Sequence, residues 1–232
     1  MLTLRRAEDR GAFDFGWLDT RHTFSFGDYY DPAHHHFRAL RVINEDVVQP
    51  GQGFGTHGHK DMEILTWVLE GALAHQDSLG SSGVIRPGEA QAMSAGTGIR
   101  HSEFNDSKTE RVHFLQIWVI PDRKDLAPRY QQVAFEDAAL RNRLGLIASR
   151  DGRDGSVSLS QDLAVHVARL DAGASVSHAF APGRGGWLHV AKGAVKAGGL
   201  DLQHGDGLAV EGEASLDVTA TAGSEILLFD LA

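Results

Sequence analysis

The chain has 232 residues, no cysteine, 42% hydrophobic residues and a formal net charge of −9 at pH 7. This length suits one large domain or two smaller ones, and no apolar run approaches the roughly 20 residues that span a bilayer. The negative charge disfavours a nucleic-acid partner bound through its phosphates, and the lack of cysteine and of a secretory signal predicts a cytoplasmic protein with no membrane partner.

Segments of strand length recur along the whole chain. They cover residues 39–43, 64–69, 112–120, 164–170, 187–191 and 225–229. Turn-rich stretches such as Pro50-Gly51, Pro87-Gly88 and Pro182-Gly183 separate them. Short strands at nearly regular spacing, with glycine-rich turns between them, are typical of a β-sandwich or barrel.

The first chemically distinctive stretch contains two histidines, His57 and His59, between a glycine-rich run and an apolar segment. Residues i and i+2 of a strand lie on the same face, about 7 Å apart, so both imidazoles can converge on one ion. Taken alone, the pair has a plainer alternative, which is two histidines facing solvent beside a loop. Glu63 lies four residues after His59 and would share its face on an uninterrupted strand.

A second pair, His101 and Glu103, repeats the i and i+2 spacing after another glycine-containing turn. If the two pairs face each other across a barrel, three imidazole nitrogens and one carboxylate oxygen form a site suited to Fe(II), Mn(II), Ni(II), Co(II), Cu(II) or Zn(II), with room for water, substrate or dioxygen. Together the pairs favour a metal site over surface histidines. Because Glu103 already supplies a carboxylate, we interpret Glu63 as a residue that supports a histidine or lies at the surface.

The remaining histidines carry weaker signals. Three consecutive side chains cannot share one face of a strand, so residues 34–36 predict an exposed loop with adventitious metal affinity. His22 is either structural or a support for a metal ligand. Ordinary core or surface histidines are expected at four strand positions, which are His75, His113, His166 and His189.

A polar, charged interruption runs from residue 121 to residue 150, and within it residues 135–144 predict a short amphipathic helix. Landmarks that precede the interruption recur in the same order after it: a glycine turn, a histidine (His57, then His178), a strand pair joined by glycine, and a second glycine turn. This order predicts a duplicated β-barrel. We therefore predict an N-terminal barrel over residues 1–120, a linker over 121–150 and a C-terminal barrel over 151–232.

These residues resemble the cupin superfamily and, within it, the pirin family, whose members contain two cupin barrels. The first cupin motif is matched at Gly51, His57, His59 and Glu63, and the end of the second at Gly98, His101 and Asn105. Blocks similar to those of pirins occur at residues 16–19, 22–26, 29–32, 40–44 and 94–103. The resemblance is strong over residues 1–120 and thin beyond them. It implies an all-β fold of two jelly-roll cupin barrels in tandem.

In the pirin family the ion, commonly iron, is held by two histidines of the first motif and by the His and Glu of the second, which here are His57, His59, His101 and Glu103. The second half departs from this pattern, because Phe180 stands at the position that would match His59 and no His-x-Glu follows. We therefore expect a C-terminal barrel without metal, which supports the first barrel or shapes the mouth of its pocket.

Several bacterial pirin-like proteins open the flavonol quercetin with dioxygen and release carbon monoxide, so the resemblance implies a quercetin 2,3-dioxygenase. In this activity the metal would bind the flavonol 3-hydroxyl, and Glu103 would accept its proton. The resemblance also implies an alternative, a metal-dependent regulatory protein that binds a transcription factor or metabolic enzyme without turnover. A third interpretation is a metal-containing small-molecule binder. A monomer is expected.

Overall fold

A computed structural model describes all 232 residues, and almost every regular element in it is a β-strand. The strands are β1 (Leu2–Arg5), β2 (Gly11–Asp14), β3 (Leu18–His22), β4 (Leu40–Val48), β5 (Gly53–His59), β6 (Glu63–Glu70), β7 (Leu73–Asp77), β8 (Ser82–Ile85), β9 (Glu89–Ser94), β10 (Ile99–Asn105), β11 (Val112–Val119), β12 (Arg129–Ala134), β13 (Gly145–Ser149), β14 (Val157–Ser158), β15 (Leu163–Leu170), β16 (Ser175–Ala179), β17 (Gly185–Lys192), β18 (Ala194–Ala197), β19 (Leu200–Gln203), β20 (Gly207–Glu211), β21 (Ser215–Ala220) and β22 (Ser224–Leu231). One α-helix, α1, spans Asp137–Leu140, and 3₁₀ turns lie at Ala7–Asp9 and Arg153–Gly155. All three are far too short to cross a membrane.

Four sheets build two barrels. The first barrel consists of a seven-stranded sheet in the order β12-β9-β6-β11-β4-β3-β2 and a four-stranded sheet in the order β5-β10-β7-β8. The second barrel repeats this arrangement with β1-β20-β17-β22-β15-β13-β14 and β16-β21-β18-β19. The all-β fold of two jelly-roll cupin barrels in tandem, predicted from the sequence, is confirmed.

The largest apolar core lies between the two seven-stranded sheets. On β6, Leu65 and Trp67 belong to this core, together with Trp187 and Phe229 of the second barrel. Alternate residues of a strand point to opposite faces, and Val68 accordingly packs in a separate cluster inside the first barrel. Strand β6 is therefore buried on both faces, which explains its nearly continuous hydrophobic sequence.

Two strands cross the division predicted at residues 120 and 150. Strand β1 pairs with β20 of the second barrel, with Leu2 opposite Val210. Strand β12, which falls inside the predicted linker, pairs with β9 of the first barrel, with Gln132 opposite Gln91. Each of these strands forms an edge of its sheet. The amino terminus thus completes the second barrel, and the segment after residue 120 completes the first.

The helix predicted over residues 135–144 is shorter than expected. Helix α1 forms a single turn and buries Leu140 in the core between the barrels. Beyond it, Asn142 adopts a left-handed backbone with a φ of 53°, and its N–H donates to the carbonyl of Arg169 on β15. The chain docks onto β15 at this point, and this contact ends the helix.

Candidate metal centre

Two neighbouring strands, β5 and β10, carry the histidines and the glutamate singled out from the sequence. The strands are antiparallel, with His57 directly opposite His101 and His59 opposite Ile99. A β-bulge shifts the register between His101 and Glu103, and a bulge re-aims the side chains beside it. The two i and i+2 pairs therefore meet on adjacent strands of one sheet, whereas the sequence had suggested that they face each other across the barrel.

Three imidazole rings converge on one point. The Nε2 atoms of His57 and His101 are 3.0 Å apart, and the ligand nitrogens of His57, His59 and His101 all lie within 4.8 Å of one another. The ring centroids of His59 and His101 are 4.9 Å apart. Because a metal–imidazole bond is about 2.0–2.1 Å long for zinc, nitrogens at these separations can bind a single ion.

Burial keeps two of these rings neutral at pH 7. It lowers the pKa of His59 to about 4 and the pKa of His101 to about 2, and nearby histidines add to both shifts. His57 donates from Nδ1 to the carbonyl oxygen of Gly55, 2.8 Å away, so its Nε2 keeps a lone pair. Neutral imidazole is the form that binds metal. The residues present therefore fit a divalent metal ion.

Glu103 is buried and held by Gln116 of β11, and its carboxylate does not join the group of His57, His59 and His101 whose donor atoms all lie within 4.8 Å of one another. Gln116 donates from Nε2 to both carboxylate oxygens, at 3.1 and 2.9 Å, and its Oε1 accepts a hydrogen bond from Oγ1 of Thr66 at 2.9 Å. Burial raises the pKa of Glu103 to about 7, and Asp46 adds to the rise while Gln116 opposes it. A carboxylate with this pKa is suited to proton transfer near neutral pH.

His75 on β7 is a residue of this site that sequence reasoning placed among the ordinary histidines. It lies opposite Glu103 across the β7–β10 pair, and its Nδ1 is 3.5 Å from Nδ1 of His101. On its other side, Nε2 is 3.4 Å from Oδ2 of Asp77. With His101 and Glu103 it forms a second group of three donor atoms within 4.8 Å of one another. The i and i+2 spacing of His75 and Asp77 was the signal that could have identified it.

Glu63 lies apart from these groups. A turn over residues 60–62, with Asp61 at a φ of 50°, separates it from His59, so Glu63 begins the next strand, β6. Its carboxylate accepts a hydrogen bond from Oγ of Ser94 at 2.7 Å and is 3.7 Å from Nη2 of Arg129. At 1% exposure it is not a surface residue. The expectation of a shared face fails because the strand is interrupted.

The histidines singled out elsewhere have other partners. In the loop of residues 34–36, His34 bonds Asp31 at 2.8 Å, and the two histidines that follow are exposed. In the second barrel, His178 bonds Oδ2 of Asp230 at 2.8 Å, and Arg184 forms an ion pair with the same carboxylate. Both groups of three donor atoms in the structure belong to the first barrel.

The histidine group opens into a cavity of about 250 Å³ in the first barrel, and His57, His59 and Glu103 form part of its wall. Aromatic side chains line another part of it, namely Phe13, Phe15, Phe26, Phe54 and Trp118. Trp118 also packs edge-on against His59, with the ring centroids 4.9 Å apart. A cavity that combines aromatic rings with polar side chains is suited to a small planar ligand that carries polar groups.

Comparisons with known sequences agree with this arrangement. A family model described as Pirin matches residues 4–119, and one described as Quercetinase C-terminal cupin domain matches residues 146–231. A protein named quercetin 2,3-dioxygenase from Escherichia coli strain K12 is 49% identical over 231 residues, which are 100% of this chain and 99% of that protein.

Solved structures agree as well. The structure of YhhW from Escherichia coli has a TM-score of 0.96 at 49% identity, covering 100% of this chain and 98% of that one. The bacterial pirin YhhW in complex with nickel(II) has a TM-score of 0.94 at 49% identity, covering 100% of this chain and 99% of that one. Together with the converging histidines, these similarities indicate a metal-binding cupin.

Proposed function

The chain belongs to the pirin family of the cupin superfamily, and we propose that it is a metal-dependent dioxygenase that opens the flavonol ring of quercetin-like substrates with dioxygen and releases carbon monoxide. Relatives named quercetin 2,3-dioxygenase support the proposal because they match along their whole length. The observation that carries it is the position of the three-histidine group, two of whose members, His57 and His59, line a cavity that also contains five aromatic rings.

The proposed cofactor is a divalent transition metal, with Fe(II) as the first candidate, held by His57, His59, His101 and Glu103. First-row ions from Mn(II) to Zn(II) accept three imidazoles and a carboxylate, so manganese, cobalt, nickel, copper and zinc are further candidates. The similar pirin YhhW has been solved in complex with nickel(II). When bound, the ion supplies a Lewis acid that lowers the pKa of a flavonol hydroxyl.

Glu103 is the proposed catalytic base. Its buried carboxylate, when not bound to the ion, can accept the proton of the flavonol 3-hydroxyl and later return it. Gln116 keeps both carboxylate oxygens oriented. Loss of the proton leaves the substrate as an electron-rich enolate that can react with dioxygen. The aromatic wall binds the flat ring system and keeps water away from it.

Oxygen uptake and carbon monoxide release test the proposal, with a panel of flavonols and protein loaded with iron, manganese, cobalt or nickel. We expect at least one form to consume dioxygen together with the flavonol. The Glu103→Gln variant should lose about 10²–10⁴-fold in rate, the usual contribution of general base catalysis. As a matched control, Glu136→Gln changes an exposed glutamate outside the cavity and should keep the wild-type rate.

Metal-loaded protein that consumes no dioxygen with any flavonol contradicts the dioxygenase. That result favours the alternative inferred from the sequence, a regulatory protein whose metal centre tunes the binding of a transcription factor or metabolic enzyme. For the dioxygenase we expect a cytoplasmic monomer whose partners are a flavonol and dioxygen, without a nucleic acid or a membrane.

A further inference from the structure

One wall of the cavity carries polar side chains that are not part of the metal centre. His22 on β3 lies directly opposite Asn44 on β4, and the next pair along these strands is Thr20 opposite Asp46. All four side chains line the cavity. Because residues two apart on a strand share a face, the two pairs form one continuous polar wall beside the aromatic side chains of the cavity.

Three atoms of this wall have no hydrogen-bond partner within the protein. They are Oγ1 of Thr20, Nδ1 of His22 and Oδ1 of Asn44, and the three residues are only 3%, 7% and 4% exposed. Buried polar atoms in proteins are nearly always hydrogen-bonded. Three unpaired atoms on neighbouring strands, all on side chains that line one cavity, therefore indicate a ligand that supplies their partners.

The surroundings of His22 define the chemistry of that ligand. The rings of Phe13 and Phe26 lie 5.3 and 5.2 Å from the imidazole, centroid to centroid. Burial lowers the pKa of His22 to about 4, so the ring is uncharged at pH 7. A neutral imidazole and an amide favour an uncharged group that both donates and accepts hydrogen bonds, and a phenolic hydroxyl does both.

The distance from this wall to the metal centre matches an extended aromatic ligand. Asn44 lies opposite Gln116 across β4 and β11, and Gln116 binds Glu103. His22 is thus two strands away from Gln116, which is about 10 Å at the 4.7–4.9 Å spacing of neighbouring strands. A flavonol placed with its 3-hydroxyl at Glu103 can extend its outer ring to His22.

We propose that His22 and Asn44 bind the hydroxyl groups on the outer ring of the flavonol, which is the phenyl ring attached to its heterocycle, and that they select an outer ring with two adjacent hydroxyls. The proposal rests on the flavonol dioxygenase function and states which flavonols that enzyme prefers. Cross-strand partners have Cβ atoms about 4.5–5.5 Å apart, so the two side chains can each reach one hydroxyl of a catechol. Both residues act only in the choice of substrate, because Glu103 carries out the proton transfer.

The test compares quercetin, whose outer ring is a catechol, with galangin, the same flavonol without hydroxyls on that ring. Dissociation constants are measured with metal-loaded protein in the absence of dioxygen, and kcat/KM is measured in its presence. We expect the wild type to prefer quercetin by at least about tenfold, since a net hydrogen bond is worth roughly that factor. His22→Phe and Asn44→Leu should each remove about tenfold of the preference, because each should weaken quercetin more than galangin.

Two further variants separate specificity from structure. His22→Gln retains a hydrogen-bonding amide and should keep part of the preference. Gln91 is a polar residue of the same barrel that is also buried and unpaired but does not line the cavity. The Gln91→Leu variant should therefore keep the full preference for quercetin. Thermal unfolding midpoints show which variants are folded, and the wild-type comparison of the two ligands does not depend on any variant.

Equal affinity of the wild type for quercetin and galangin overturns the proposal. An equal loss for both ligands in folded His22→Phe and Asn44→Leu also overturns it, because a general disturbance of the cavity then explains the result. Selective binding of quercetin without oxygen uptake contradicts the dioxygenase and leaves the specificity wall in place. Oxygen uptake without a preference for quercetin supports the dioxygenase and overturns the proposed role of His22 and Asn44.

Discussion

The carbonyl oxygen of Gly55 determines which nitrogen of His57 faces the metal centre. A carbonyl only accepts hydrogen bonds, so Nδ1 of His57 carries the proton and Nε2 carries the lone pair. Such contacts orient a ligand before any metal binds. His57 and Glu103 could be singled out from the sequence because the i and i+2 spacing is local. His75 and Asp77 have the same spacing, but the place of His75 beside His101 depends on the pairing of β7 with β10, which no local pattern encodes.

Replacing His101 by alanine tests the proposed ligand set. Its two ring nitrogens face only His57 and His75, so the fold does not depend on a hydrogen bond from this ring. We expect His101→Ala to stay folded and to lose more metal affinity than the about 10–100-fold that is typical of residues that only support a ligand. Elemental analysis of the purified protein and the thermal unfolding midpoint measure the two effects.

The matched control is His178→Ala, because His178 holds the corresponding position in the second barrel and bonds Asp230 there. Its metal content should equal that of the wild type. Full metal occupancy in His101→Ala contradicts the proposed ligand set. Metal loss in His178→Ala means that the second barrel takes part in metal binding.

His75→Phe tests whether His75 supports His101. Phenylalanine preserves the stacking on Tyr130, whose ring centroid is 4.8 Å from that of His75, but it removes both ring nitrogens. Metal affinity should fall about 10–100-fold while the fold is retained. Competition with a chelator measures this change, and His166→Phe in the second barrel provides the control. Unchanged affinity in His75→Phe would show that His75 only fills space.

At the scale of elements, the turn between β5 and β6 determines the environment of Glu63. Asp61 adopts a left-handed backbone there, and the chain then runs into β6, where Ser94 and Arg129 contact the Glu63 carboxylate. Left-handed positions usually contain glycine, and residues 60–62 contain none. No glycine therefore marks this turn in the sequence, although the two strands themselves could be predicted from their apolar residues.

Glu63→Ala is expected to change stability and to leave the metal centre intact. The substitution removes the acceptor of the buried Ser94 hydroxyl, and an unsatisfied buried group costs about 1–3 kcal/mol. Urea unfolding measures the loss in the free energy of unfolding, and elemental analysis should give an unchanged metal content. Glu63→Gln retains an acceptor oxygen and should lose less. Metal loss at constant stability would restore Glu63 as a ligand.

At the scale of the whole molecule, one buried carboxylate joins the two barrels. Glu45 of β4 accepts hydrogen bonds from Arg10 and His113, at 2.8 and 2.9 Å, and contacts Nε2 of His204 in the second barrel at 2.8 Å. Burial opposes the ionisation of Glu45, but the hydrogen bonds from His113 and His204 and the charge of Arg10 hold its pKa well below the usual range. The hydrogen bond to Glu45 in turn raises the pKa of His204.

These two shifts predict a pH dependence of the contact between the barrels. The contribution of His204 is complete below its ordinary pKa of 6.5 and is lost as the pH rises through its raised pKa. The contribution of Glu45 is complete above its ordinary pKa of 4.5 and is lost only in strong acid. The wild type should therefore exceed His204→Gln in stability most clearly between pH 4.5 and 6.5, and the difference should shrink towards pH 9.

Urea unfolding of both proteins at pH 5.5, 7 and 9 measures this difference directly. Comparing the two proteins cancels the acid sensitivity of the buried neutral histidines, which both contain. A difference that stays constant across this range would show that His204 contributes no ionic contact to the interface.

The duplicated architecture could be predicted from the repeated order of turns and strands on either side of residues 121–150. The pairing of β1 with the second barrel and of the linker segment β12 with the first barrel could not. Both are edge strands that pair with distant parts of the chain, and the two seven-stranded sheets pack face to face. That packing buries Trp67 against residues of the second barrel, and no local pattern in the sequence encodes it.

Carbon monoxide released per quercetin consumed is the measurement that tests the central claim most directly, with iron-loaded wild type compared with His101→Ala. The metal-dependent dioxygenase predicts one carbon monoxide per quercetin from the wild type, because ring opening expels a single carbon, and no release above the uncatalysed background from the variant. Equal release from both proteins, or quercetin bound by metal-loaded wild type without any carbon monoxide, would contradict it.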